Sequence, residues 1–238
     1  MRYLLLIIVF LGSNVFYAQN LTAKELLNKS IAFHNPDSQW EHFNGTFNVL
    51  TKRPESSDRL SSIKMDLLNE HFSLSVKKDS TSYSYIFDKE NCTTSLNGSN
   101  EISEADRKAH RLTCERGKMM QNYYTYLYGL PMKIKDPGTI LDGTVRTKTF
   151  KGKEYLVLKV NYEEEVGKDV WYFYFDPKTY AMEVYQFYHD ESKNDGEYIL
   201  LEGLEEINGI KMPKTRAWYY NKDDKYLATD ILIPAEVK

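Results

Sequence analysis

The sequence predicts an α+β fold: one large curved antiparallel sheet, a half-barrel of about ten to eleven strands, with two helices packed on its concave face. Three observations carry this expectation. Apolar and polar residues alternate over run after run, as in strands with one buried and one wet face. The breaks between runs hold hairpin chemistry, such as Asn97-Gly98, Lys151-Gly152, Asp195-Gly196 and Asn208-Gly209. Only two segments shift to helical spacing, and each opens with a capping signature. So many consecutive strands must curl, and two helices can fill a concave side but cannot cover both faces.

The first element is read as an address. Met1-Arg2 is a short positive start, Leu4 to Leu11 is an unbroken apolar run, and Tyr17-Ala18-Gln19 offers a cleavage point. This is the layout of a signal peptide over 1–18, and the run is too short to span a bilayer. Residues 19–238 are then read as one exported domain, because no later stretch is rich enough in Gly, Ser or Pro to divide it. No segment has the length of a membrane span, so no stable membrane insertion is expected.

Thr22-Ala-Lys-Glu25 is a capping box that opens a helix through about His34, where Asn35-Pro36-Asp37 stops it. Strand alternation follows in Phe43 to Val49, Ile63 to Leu67, Phe72 to Val76 and Tyr83 to Phe87, with Lys52 to Arg59 read as a polar loop. Ser103-Glu-Ala-Asp106 opens the second helix, which carries Leu112, Met119, Tyr123, Tyr126 and Leu127 and stops at Gly129-Leu130-Pro131. Gly117 is its weak point, a place where it can split. Asp136-Pro-Gly138 is a turn, and strands follow over about 142–151, 154–162, 169–176, 180–190, 196–207, 210–220 and 225–233.

Composition excludes several classes. Aromatic residues are 14% of the chain, far too many for a disordered segment. A net charge of −3 lacks the basic field that nucleic-acid binding needs. The histidines at 34, 42, 71 and 110 are scattered singly. There is no G-x-S-x-G elbow, no G-x-x-x-x-G-K loop and no G-x-G-x-x-G turn, so no catalytic residue is assigned, no cofactor is expected and the chain is not read as an enzyme. Export into an oxidising compartment favours a bridge between the only two cysteines, Cys92 and Cys114; two free buried thiols or a zinc pair are the alternatives.

The C-terminal rhythm is the most distinctive. Tyr174-Phe-Asp-Pro-Lys-Thr179, Asp195-Gly-Glu197 and Glu206-Ile-Asn-Gly-Ile-Lys-Met-Pro213 follow one another as strand, turn, strand and hairpin. Together with the leader, the N-terminal helix and the helical plug, this pattern resembles the LolA-like half-barrel superfamily of periplasmic lipoprotein carriers. Gly129-Leu-Pro-Met132, Arg216-x-Trp218 and Tyr226-Leu-Ala-Thr-Asp230 are similar to a family of exported bacterial proteins of unknown function within that group. The resemblance implies the half-barrel and a periplasmic or secreted location. It supplies no ligand-handling Arg, because Arg53 and Arg59 fall in the polar loop.

The aromatic excess suggests where a ligand would sit. Phe47, Phe72, Leu74, Tyr85, Met119, Tyr123, Trp171, Phe173, Tyr185, Phe187 and Trp218 are candidates to line an apolar cavity between sheet and helices. Arg216 beside Trp218 is placed to meet an anionic head group or to stack on the ring. The resulting expectation is a binding or carrier protein that holds a lipid or acylated ligand. The alternatives are an envelope-protein interaction or sensing domain whose core fills its own cavity, and a metal-assisted hydrolase using His189, Asp190 and Glu197, the densest metal-capable set.

Overall fold

A computed structural model describes residues 21–235. The leader expected over 1–18 lies outside the described residues. From Asn44 to Pro234 the chain builds a single antiparallel sheet of 13 strands, more than the ten to eleven the sequence suggests. The strands are β1 (Asn44–Arg53), β2 (Ser56–Asp66), β3 (His71–Lys78), β4 (Thr81–Asp88), β5 (Asn91–Leu96), β6 (Thr139–Leu141), β7 (Arg146–Phe150), β8 (Lys153–Tyr162), β9 (Val170–Phe175), β10 (Met182–Tyr188), β11 (Glu197–Ile207), β12 (Ile210–Tyr220) and β13 (Tyr226–Pro234). Two strands escaped the pattern for clear reasons. β5 is a mostly polar edge strand, and β6 is only 3 residues long. The supposed loop Lys52 to Arg59 is also corrected: β1 runs on to Arg53 and β2 begins at Ser56, with only Pro54-Glu55 between them. Both strand ends are polar because they extend past the core.

The sheet order is β5-β4-β3-β2-β1-β13-β12-β11-β10-β9-β8-β6, with β7 also paired to β8. The last strand pairs with the first, Val49 opposite Leu232 and Thr51 opposite Asp230, so the two halves of the meander form one surface. Its inner face carries the main core, including Phe47, Val49, Ile63, Phe72, Leu74, Phe173, Phe175, Tyr185, Ile199 and Leu232.

Three helices follow the cap signals. In α1 (Ala23–His34) Thr22 and Glu25 complete the capping box, and Leu26, Leu27, Ser30 and His34 are buried. The second expected helix is two: α2 (Glu104–His110), with no buried residue, and α3 (Cys114–Gly129). The break is not at Gly117. It falls at Arg111, which takes the left-handed conformation, and Thr113 caps the new helix. Gly117 instead lies where α3 meets the sheet: a Cβ there would stand 2.8 Å from the Tyr85 ring. At the other end a Cβ on Gly129 would clash with the Trp40 ring. The Cys92–Cys114 disulfide forms as expected and ties the first turn of α3 to β5. Close packing at both ends and a covalent tie make α3 a fixed bar across the inner face.

Candidate functional site: two clefts divided by helix α3

α3 turns Tyr124, Leu127 and Tyr128 into the core. Its Met119, Tyr123 and Tyr126 side chains border a cleft of about 940 Å3. Met65 and Phe72, at the β2–β3 end of the sheet, form one wall of this cleft; Tyr162, Val166 and Trp171, around the β8–β9 connection, form the other. Tyr126 and Tyr162 hydrogen-bond through their hydroxyls, and Tyr126 packs edge-on to Trp171 at 5.5 Å. Charges stand at the rim in Lys89, Glu90, Lys118, Lys133 and Asp169. Apolar and polar side chains share the lining about equally, the polar ones including Asp66, His71, Gln121 and Asn122, and the volume is within the usual ligand-site range of ~300–1,000 Å3.

A second cleft of about 420 Å3 is lined by Thr51, Arg53, Arg59, Tyr123, Glu197, Trp218, Tyr220, Leu227, Ala228 and Asp230. Its centre is a hydrogen-bond chain. Arg59 Nη2 donates to Thr51 Oγ1 at 3.1 Å, Thr51 Oγ1 donates to Asp230 Oδ1 at 2.5 Å, and Trp218 Nε1 donates to Asp230 Oδ2 at 3.1 Å. Burial raises the pKa of Glu197, against the pull of His189 and Arg53. Tyr123 lines both clefts. Burial first, then Asp230 and the neighbouring tyrosines, push its hydroxyl well above the usual phenol range, so the ring stays neutral.

The expected ligand residues divide sharply. Phe72, Met119, Tyr123 and Trp171 border the larger cleft, and Tyr123 and Trp218 the smaller. Phe47, Leu74, Tyr85, Phe173 and Tyr185 are packed in the core instead, and Phe187 packs on Trp171 at 4.9 Å. Phe47 lies against Tyr128 at 4.8 Å, so α3 itself occupies the space these rings were expected to line. Arg216 is only 1% exposed, donates from Nη1 to the Pro213 carbonyl at 3.0 Å and sits 3.9 Å from the centre of the Tyr128 ring. Burial works against its charge, and Tyr128, Tyr185 and Asp230 outweigh it.

The metal candidates do not converge. His189 Nδ1 meets Asp169 Oδ1 at 2.7 Å. Asp190 is occupied by Ser192 and Lys193, while Glu197 belongs to the smaller cleft. Among the described residues no group of three or more His, Cys, Asp or Glu is placed to hold a metal ion. The residues the sequence reading missed include Met65, Tyr126, Tyr162 and Val166 in the larger cleft and Thr51, Arg53, Arg59 and Asp230 in the smaller. For the smaller cleft a signal was available: Thr51 and Asp230 are polar residues at inward positions of otherwise apolar alternations.

A profile of a family of unknown function, DUF6503, matches residues 1–235. The chain belongs to that family. The sequence matches none of the curated proteins. In three dimensions this DUF6503 chain is similar to a LolA superfamily protein from Nitrosomonas europaea, with a TM-score of 0.51, 10% identity and coverage of 91% of this chain and 95% of that one. It also aligns with a DUF1329 family protein from Desulfovibrio piger, with a TM-score of 0.48 and 7% identity over 90% of this chain and 91% of that one. The first likeness establishes the half-barrel as a LolA-like fold. Among the described residues no helix is long and apolar enough to cross a membrane.

Proposed function

We propose that the chain is an exported, non-enzymatic binding or carrier protein that holds a lipid or acylated amphiphile in the larger cleft. The observation that carries this reading is the cleft of about 940 Å3 between the α3 bar and two sheet walls, with Met65, Phe72, Met119, Tyr123 and Trp171 on its lining. Burying an alkyl chain against such a surface contributes about 0.8 kcal/mol per CH2 group. The LolA-like fold and the leader expected over 1–18 support a periplasmic or secreted location.

Native mass spectrometry of protein purified from bacterial envelopes, paired with lipid extraction, tests the reading. The expected result is a bound species that leaves on extraction and returns on adding a fatty acid. A single unliganded mass, together with no binding of a fluorescent fatty acid, removes it.

One observation favours a second reading. Phe47, Leu74, Tyr85, Phe173 and Tyr185 fill the inner face rather than line a cleft, as in an interaction domain with a closed core. That reading expects no amphiphile and a protein neighbour captured by crosslinking in cells.

A further inference from the structure

Cross-strand register places four polar side chains in one row across the inner sheet. Arg59 in β2 is opposite Thr51 in β1, Thr51 is opposite Asp230 in β13, and Asp230 is opposite Arg216 in β12. The carboxylate in this row is already satisfied, one oxygen by Thr51 and the other by Trp218. Neither arginine forms an ion pair with an acid among the described residues. Arg59 Nε is buried without a partner, and so are Nε and Nη2 of Arg216. The Tyr124, Tyr128 and Tyr185 hydroxyls around them are buried and unpartnered as well. Asp230 has both oxygens engaged, and the unmet Nε of Arg59 can only donate. Leaving donors on buried guanidinium groups unused is costly, and a carboxylate or phosphate is the acceptor that fits their planar fork.

We propose that the smaller cleft receives the anionic end of the ligand, a carboxylate or a phosphate, on Arg59. Arg53 joins Arg59 on the cleft wall, which also carries the carboxylates of Asp230 and Glu197. Tyr123 borders both clefts, so an amphiphile lying across its ring has its chain in the larger cleft and its head in the smaller one. This inference rests on the amphiphile reading above, and its test separates the two.

Calorimetric titrations compare dodecanoic acid, dodecyl phosphate and dodecanol, with acetate and inorganic phosphate as chainless probes. The wild type is expected to bind the acid or the phosphate about tenfold more tightly than the alcohol, the size of one charge-assisted contact. Arg59→Gln is expected to narrow that gap to under about threefold, and so is Arg59→Lys, which keeps the charge but loses the planar fork. Lys148→Gln on the outer face is expected to keep it. Equal affinities for acid, phosphate and alcohol in the wild type overturn the anion site and leave the amphiphile reading standing. A preference that survives Arg59→Gln, in protein whose melting curve is intact, also overturns the site. Acetate or phosphate binding as tightly as the acyl probes keeps the site and removes the amphiphile. Binding of no probe removes both.

Discussion

The two faces of the sheet are both aromatic, but they close their hydrogen bonds differently. On the outer face Tyr155, Val157, Tyr174 and Val184 form a second buried cluster. The β7–β8 hairpin folds over it, putting Phe150 5.2 Å from Tyr174 and 5.3 Å from Tyr198, and Lys151 in an ion pair with Asp224 at 2.9 Å. Polar groups there are partnered. Lys148 Nζ donates to the Tyr174 hydroxyl at 3.0 Å, and that hydroxyl donates to Gln186 Oε1 at 2.6 Å. Lys159 pairs with Glu191, which also accepts from Tyr172. On the inner face, where α3 packs on the sheet, the hydroxyls of Tyr124, Tyr128 and Tyr185 and two nitrogens of Arg216 have no partner. A finished network stiffens a surface, whereas unmet buried donors mark where a ligand or water belongs.

The comparison can be broken in several ways, and the largest effects concern what fixes the inner face. His34 is its closed exception. Nδ1–H donates to the Lys211 carbonyl at 2.6 Å and Nε2 accepts from the Met182 N–H at 3.0 Å, so the neutral ring pins α1 to β12 and β10. Burial lowers its pKa to about 4, with Lys211 and Arg216 adding repulsion. The unfolded chain then binds the proton more tightly. The stabilisation from His34 is complete above pH ~6.5 and is lost as pH falls towards 4, about 3 kcal/mol in all. Urea titrations at stepwise pH are expected to show this loss, and His34→Gln to flatten it. Removing the disulfide with Cys92→Ser and Cys114→Ser is expected to cost about 3 kcal/mol, read as a lowered melting temperature.

A smaller effect separates the faces directly. Tyr174→Phe on the outer face breaks two hydrogen bonds and leaves Gln186 Oε1 without its donor, and is expected to cost about 1–2 kcal/mol in urea unfolding. Tyr185→Phe on the inner face removes a hydroxyl with no partner and is expected to change stability by less than about 0.5 kcal/mol, or to raise it. Equal costs at the two positions contradict the distinction between the faces.

The sheet was readable because alternation and turn chemistry are local. The capping box at Thr22 and the cap at Ser103 sit where the sequence indicates them. What escaped depends on distant partners. β5 counts as a strand because β4 pairs with it, not because its own residues alternate. The sequence marks Tyr123 and Phe47 alike as aromatic. Only the line taken by α3 decides that Tyr123 borders a cleft while Phe47 packs beneath Tyr128. Arg59 and Asp230 lie far apart in the chain and become one site through register.

The central claim is that an amphiphile enters the inner face. The chain's three tryptophans report on it, because Trp171 borders the larger cleft, Trp218 the smaller, and Trp40 is buried in the core. Titration with a fatty acid brominated near mid-chain, a short-range quencher, is the most direct measurement. The account expects saturable quenching that falls strongly in Trp171→Phe and persists in Trp218→Phe. Absence of saturable quenching, or quenching unaltered in Trp171→Phe, contradicts it.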